Sequence, residues 1–267
     1  MKVSKPLAYL SCLIEACRLE EIPYEIVDQH GNLIKLNINQ QSYYFANSST
    51  PWNNNSLATI CIDKEFSYRI LHKSILMPKT IGFVNPHLAS RFAIYREEMH
   101  VDEIITKVVA QFAWPVIIKM NRGSRKRNVF LCENEGMIKQ ALSKIYDRQS
   151  INHDYLALAQ EYIKPKKEYR AIYFMGELVL LYEKNKLLWQ QITDPIFCQQ
   201  MTYFIKPLFN ILPVEFVGLD VIEDEKGQLY LLELNSAPSF SRYLADNPPE
   251  PIIELYQKMI NYLKNSA

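Results

Sequence analysis

The sequence predicts an α+β protein built from antiparallel strand pairs, not a doubly wound parallel sheet. Three observations carry that prediction. Separate stretches place apolar residues at helical period, strand-like runs follow one another across short turn signals, and strands dominate from Tyr155 onward. With 267 residues, 48% of them hydrophobic, the chain can bury a full core as one large domain or as two or three tightly packed lobes.

Taken in order, residues 5–20 carry Leu7, Leu10, Ile14 and Cys17 near helical spacing and predict an amphipathic helix. After Pro23, residues 24–27 read as a short strand. Residues 33–38 and 42–46 read as a hairpin, and 47–56, rich in Asn and Ser, as a loop. A second helix is expected from near Asp63, with Phe66, Ile70, Leu71 and Ile75 on its apolar face, ending before Pro78. Residues 101–112 predict a third helix. Residues 115–120 form a buried strand that opens into the polar, basic loop 121–128. Residues 129–132 return as a strand, and 136–146 read as a helix. Strands then follow at 156–163, 169–174 and 178–183, the last pair turned by Met175-Gly176-Glu177. Residues 194–212 suit a helix in their middle. Two further strands meet at Lys226-Gly227, and Pro251 sits where a first-turn proline opens the final helix with Ile252, Leu255, Met259 and Leu263.

Composition narrows the function classes. Thirty Lys and Arg against 29 Asp and Glu create no global attraction to nucleic acid or membrane. Five scattered cysteines without a C-x-x-C pair argue for free thiols in a reducing, cytoplasmic setting. Dispersed histidines argue against a His-based metal site. No window approaches the ~18 apolar residues of a membrane span, and acidic residues interrupt the N-terminal apolar run, so no signal peptide is expected.

The residues that invite chemistry cluster late in the chain. Asp220 and Glu233 lie within apolar runs, where a carboxylate is costly without a partner. Asn235 shares a strand face with Glu233 by the two-residue period. Three oxygen donors on one hairpin suit Mg2+. Lys119 ends the apolar strand Val116-Ile117-Ile118, where a lysine needs an anion. The loop that follows, with Arg122, Gly123, Ser124, Arg125, Lys126 and Arg127, suits phosphate oxygens, or is simply a solvated turn. Gln160-Glu161-Tyr162-Ile163 could present an extended backbone to a purine edge, or be an ordinary edge strand. Glu168 and Arg170 share a strand face and could meet a ribose and a substrate anion, or could both be surface residues.

On these residues the chain resembles the ATP-grasp superfamily, in particular its carboxylate–amine ligases: the glutathione-synthetase half of bifunctional glutathione enzymes, cyanophycin synthetase and the ribosomal-protein glutamate ligases. The resemblance runs from about Leu10 to Pro238. It implies an ATP-grasp fold with two α+β lobes clasping ATP and a short N-terminal lobe, divided at 1–62, 63–158 and 159–267. Asp63-Lys64 and Pro115 to Lys119 resemble the segments bearing the family's two phosphate lysines, and Gly123-Ser124 the start of its lid. Gln160, Glu161, Tyr162 and Ile163 resemble its adenine linker, Glu168 its ribose carboxylate, and Asp220, Glu233 and Asn235 its metal ligands.

The implied chemistry is amide or peptide bond formation through an acyl phosphate. ATP and Mg2+ are the implied cofactors, with two ions and Mn2+ as a substitute. The implied partners are small-molecule or peptide carboxylates and amines, with no nucleic acid or membrane, and a homodimer as the family's common assembly. Arg170 and Lys184 are the catalytic candidates, although both also read as surface charges. Four departures mark the chain: Lys126 and Asn128 in the lid, Pro238-Ser239 in place of Pro-Gly, no His-Arg-Gly-Gly segment between Lys184 and Asp220, and a short N-terminal lobe. They motivate two alternatives: a degenerate nucleotide-binding module without ligase activity, and a small-molecule kinase on the same fold.

Overall fold

The computed structural model describes residues 7–123, 127–185 and 187–266. The elements run α1 (Ala8–Leu19), β1 (Tyr24–Ile26), β2 (Leu33–Ile38), β3 (Gln41–Ala46), α2 (Asn55–Ile62), α3 (Lys64–Leu71) and β4 (Thr80–Val84). A 3-10 turn at Ser90–Tyr95 precedes α4 (Val101–Gln111), β5 (Val116–Met120), β6 (Val129–Cys132), α5 (Glu135–Tyr146) and β7 (Leu156–Glu161). The chain continues through β8 (Lys167–Phe174), β9 (Glu177–Lys184), β10 (Trp189–Gln191), α6 (Pro195–Ile211), β11 (Phe216–Glu223), β12 (Leu229–Asn235), α7 (Tyr243–Asp246) and α8 (Glu250–Asn265). The result is the expected α+β architecture, and the strand pairs whose registers are resolved are all antiparallel.

Two compact units divide the chain. One comprises residues 1–58, 167–222 and 234–267; the other, 59–166 and 223–233. The strands form three sheets, in the orders β1-β2-β3, β4-β7-β5-β6 and β10-β9-β8-β11-β12.

The first unit gathers the chain's two ends around one core. Leu10, Leu13 and Cys17 of α1, Ile34 and Leu36 of β2 and Phe45 of β3 pack with Ile172, Phe174, Leu180 and Tyr182 of the larger sheet. Tyr256, Met259 and Ile260 of α8 complete the cluster. The opposite face of β8 is covered by α6. Tyr169 packs on Phe197 and Tyr173 on Phe209, with ring centroids 4.9 and 5.2 Å apart. Two hairpins turn tightly. Ile38 pairs with Gln41 around Asn39 and Gln40, and Phe174 pairs with Glu177 around Met175 and Gly176. All four turn residues have positive φ, the type I′ geometry that matches strand twist.

The second unit sandwiches α4 and α5 against β4-β7-β5-β6. Ile104, Val108, Ile138, Leu142 and Ile145 meet Phe83, Val116, Ile118, Ala157 and Ala159. Asp63 caps α3 by accepting from the Phe66 N–H, and Asn134 caps α5 by accepting from the Met137 N–H.

Several local expectations need correction. The loop read over 47–56 ends earlier, because α2 starts at Asn55 and buries Leu57 and Cys61. It is a helix too short for its two buried positions to show a period. β4 was not expected; Gly82 at its centre breaks the strand pattern. A Cβ there would make a tight contact, 3.0 Å from Cγ of Glu65. The strand expected to reach Ile163 stops at Glu161. In α3 the expected apolar face is buried only in part, at Leu71 and, past the helix end, at Ile75. Phe66 is 44% exposed and Ile70 also faces outward, while Glu65, Ser67 and Leu71 are buried. Polar anchoring overrides hydrophobic periodicity here, for reasons that lie in the site below. No helix among the described residues is long and apolar enough to cross a membrane.

Burial sets the behaviour of the thiols. It pushes Cys12 up to about 11 and both Cys17 and Cys61 up to about 12, against about 8.5 for a free thiol. The folded state therefore holds these protons more tightly than the unfolded chain, whose thiols ionise first. Folding stability is expected to fall as pH rises from about 8.5 towards 12. Urea midpoints at pH 7.5 and 9.5 test this, with the higher pH giving the lower midpoint. At pH 8, Ellman's reagent should titrate these three thiols only after denaturant is added.

Candidate functional site

In the second unit the polar residues converge on Lys64 and on the loop after β5. Lys64 opens α3, directly after its capping aspartate, with its side chain only 10% exposed. Its Nζ donates to the carbonyls of Asn121 at 3.1 Å and Gly123 at 2.6 Å, and lies 3.3 Å from Oε2 of Glu233 on β12. Asn121 in turn accepts the Glu65 N–H through Oδ1 at 2.9 Å. α3 is thus anchored by its polar first turn, which explains the burial of Asp63 and Glu65 and leaves Phe66 outward.

The basic loop is pinned at both described ends. Arg122 donates its backbone N–H to Asp154 at 2.7 Å and its Nε to Asp63 at 3.2 Å. Arg127 Nη1 donates to Asn152 at 3.2 Å. These two cations are therefore engaged by side chains of the same unit. Gly123 lies between them, where a Cβ would fall 2.5 Å from Cγ of Met120. Ser124, Arg125 and Lys126 lie outside the described residues.

Lys119 sits on β5 at 6% exposure. Its Nζ donates to Oε1 of Gln160 at 2.9 Å, whose Nε2 donates to Thr80 Oγ1 at 2.8 Å, and the Thr80 hydroxyl donates to the Pro78 carbonyl at 2.9 Å. The ladder explains the chain of contacts. Gln160 faces Ile117 on one side and Thr80 on the other, and Lys119 is two residues along the same face. The Glu161 N–H is committed to the Lys79 carbonyl at 2.8 Å. Any backbone offered beyond the sheet therefore begins at Tyr162 and Ile163.

In the first unit the core-facing row of β8 runs Phe174, Ile172, Arg170, Glu168, and that of β9 runs Leu180, Tyr182, Lys184. Each row changes from apolar to charged at one end. There Asp220 of β11 takes Arg170 in a two-point grip, Nε to Oδ1 at 2.6 Å and Nη2 to Oδ2 at 2.9 Å. Lys184 Nζ donates to Oδ1 at 2.8 Å. The three side chains are 13%, 14% and 11% exposed for Arg170, Lys184 and Asp220. Burial pushes the Tyr182 phenol up, Arg170 opposes that rise, and Asp220 adds to it. Gly218 is required by close approach: a Cβ would lie 2.9 Å from Cβ of Pro238 and 3.1 Å from Nη1 of Arg170.

The structure thus brings together Lys64, Gly123 and Glu233, then Lys119 and Gln160, and then Arg170, Lys184 and Asp220. Asp220 has its partners within its own unit, the cations of Arg170 and Lys184. Asn235 uses Oδ1 to accept the Ala237 N–H at 3.0 Å, and Glu168 is half-buried two residues from Arg170. Sequence reasoning missed Asn121 and Thr80. Only their places beside Lys119 and at the chain step into β4 could have signalled them. Among the described residues no three His, Cys, Asp or Glu side chains group together. The all-oxygen set Asp220, Glu233 and Asn235 nevertheless has the chemistry a hard cation takes.

Comparison with known proteins gives these positions a context. Residues 63–185 match the family described as the RimK-like ATP-grasp domain. The structure aligns with D-alanine–D-alanine ligase from Bacillus anthracis in complex with ATP, at TM-score 0.56 and 17% identity, over 80% of this chain and 69% of that one. The chain has the ATP-grasp fold. A bifunctional glutathione synthetase from Pasteurella multocida aligns over 94% of this chain and 43% of its own, at TM-score 0.56 and 11% identity. The ATP-grasp ligase PsnB, in complex with precursor peptide PsnA2 and AMPPNP, aligns over 78% of this chain at TM-score 0.53 and 13% identity. The chain spans 61% of the length of PsnB. No curated protein sequence matches significantly. Within this ATP-grasp fold the family-matched segment contains Lys64, Lys119, Gly123, Gln160 to Ile163, Glu168, Arg170 and Lys184, while Asp220, Glu233 and Asn235 follow it.

Asp220 is the residue whose loss should cost the first unit most. Asp220→Ala leaves two buried cations without a counter-charge and is expected to cost about 3–5 kcal/mol. Urea unfolding measures it, and adding Arg170→Met and Lys184→Met to Asp220→Ala should recover most of the loss. Equal stability of Asp220→Ala and the parent would contradict the grip described here.

Proposed function

We propose that the protein is an ATP-dependent carboxylate–amine ligase that forms an amide through an acyl phosphate, with Mg2+ as cofactor. The observation that carries the reading is the convergence at Lys64. Within one unit of an ATP-grasp fold, a buried ammonium ties the start of the basic loop to a carboxylate of the candidate metal strand. A cation placed there can move from backbone carbonyls to phosphate oxygens with little reorganisation, which is how a preorganised site lowers the barrier to phosphoryl transfer.

In this reading Lys64 and Lys119 neutralise the phosphates, and the loop that begins at Gly123 offers backbone N–H groups to them. Tyr162 and Ile163 present backbone to the purine, Gln160 orients Lys119 through its amide, Glu161 fixes the strand end, and Glu168 accepts from the ribose. Asp220, Glu233 and Asn235 hold Mg2+, which supplies neutralisation of polyphosphate charge when bound. Arg170 orients the substrate carboxylate and Lys184 supports it.

A carboxylate oxygen attacks the γ-phosphorus and ADP leaves. The amine then adds to the acyl carbon, loses a proton, and expels phosphate. Small-molecule or peptide substrates both suit this chemistry. PsnB, a structural neighbour, is recorded with a precursor peptide, which favours including peptides among the acids tried.

An ADP-release screen over amino acids, γ-glutamyl peptides and small amines, with mass spectrometry of the products, tests the reading. ADP and phosphate are expected only when acid and amine are both present. Lys119→Ala and Glu233→Ala are each expected to lower kcat/KM by at least about a hundredfold, the scale of losing one preorganised charge at a phosphoryl-transfer site, while far-UV circular dichroism stays unchanged. Unaltered rates in both would refute the assignment. A stable phosphorylated acid without amide would make the protein a kinase.

A further inference from the structure

We propose that Lys184 is a resident counter-cation for Asp220, occupying the position a divalent ion needs and yielding it only when a polyanion arrives with the ion. The inference rests on the assignment of Asp220 to metal binding made above, and it concerns what this chain does before that ion binds.

Oδ1 of Asp220 already accepts two charged donors, Arg170 Nε at 2.6 Å and Lys184 Nζ at 2.8 Å. A carboxylate oxygen offers two lone-pair directions in its plane, so no cation reaches Oδ1 without displacing one of these two. Arg170 is the poorer candidate to leave. It grips both oxygens in a planar fork, so leaving would cost it two charge-assisted hydrogen bonds at once. Lys184 donates to Asp220 at one point, through a flexible stem from the last residue of β9, and it can swing aside without disturbing the sheet.

Charge decides when that happens. Arg170, Lys184 and Asp220 together carry one net positive charge at low exposure. A bare divalent ion would raise this to three positive charges; Glu168 on the same row and Glu233 offset two of them, and the remaining positive charge opposes metal alone where screening is weak. Polyphosphate reverses the balance. It brings negative charge with the metal and gives the displaced Lys184 ammonium an alternative partner. The arrangement therefore makes metal entry conditional on nucleotide, and it gives Lys184 a positioning role, acting through Asp220, that is separable from contact with substrate.

Mn2+ binding followed by electron paramagnetic resonance, on the full chain with and without a non-hydrolysable ATP analogue, reads this directly. In the parent protein Mn2+ is expected to bind tightly only with the analogue. Lys184→Met keeps the stem and removes the charge, so nucleotide-free Mn2+ affinity should rise by roughly tenfold or more, and by much less in the presence of the analogue. Asp220→Asn combined with Lys184→Met should abolish the gain, and thermal melts of each variant confirm that it is folded. Nucleotide-free affinity in Lys184→Met that is equal to or below the parent's overturns the inference, even while the parent binds Mn2+ with the analogue. No Mn2+ binding by any form, with or without the analogue, overturns the metal assignment itself and this inference with it.

Discussion

The grip of Arg170 and Lys184 on Asp220 is the interaction on which the reading of the first unit turns. A carboxylate within the apolar run of β11 would be costly to bury alone, and two cations make it tolerable. Those cations sit where the core-facing rows of β8 and β9 give way from Ile172 and Tyr182 to charged side chains. The hydrophobic core and the polar cluster are consecutive positions on the same strands, so the packing that fixes strand register also fixes the charges. Gly218 adds a second constraint, because it leaves room for the guanidinium.

The second unit solves a similar problem with neutral oxygens as well as charges. Lys64 is satisfied by two carbonyls and a glutamate, and Lys119 by an amide whose other end is satisfied by Thr80. Carbonyl and amide partners stabilise a buried ammonium less than a carboxylate would, so they can give it up to a phosphate more readily. Asp220, by contrast, holds its two cations by charge.

Much of this was legible in the sequence, for identifiable reasons. The hairpins β2–β3 and β8–β9, and the helices α1, α5 and α8, combine strong periodicity with turn or cap residues, and they appear where expected. Lys119, Asp220 and Glu233 drew attention because charged residues within apolar runs are rare. What sequence could not supply was partnership. Nothing in the order of residues says that Asp220 is held by Arg170 and Lys184, or that Asn121 receives the first turn of α3. For the same reason the face of α3 is legible only in part: Leu71 is buried as its period indicates, but Phe66 and Ile70 also look like core by period, and the polar first turn from Asp63 to Glu65 leaves them outward. β4 was missed because Gly82, beside Glu65, dilutes the strand signal.

The packing of α1 against α8 has a consequence for biogenesis. Leu10, Leu13 and Cys17 share a core with Tyr256, Met259 and Ile260, and Glu20 is paired with Lys264 at 2.9 Å. During translation α1 thus waits for α8. Meanwhile residues 59–166 already contain the helices and the four-stranded sheet of their own core. During translation that inserted segment can condense first, while α1 and the small N-terminal sheet stay exposed for the time needed to make some two hundred further residues. An unaccompanied apolar helix held open for that interval is a natural client for a chaperone.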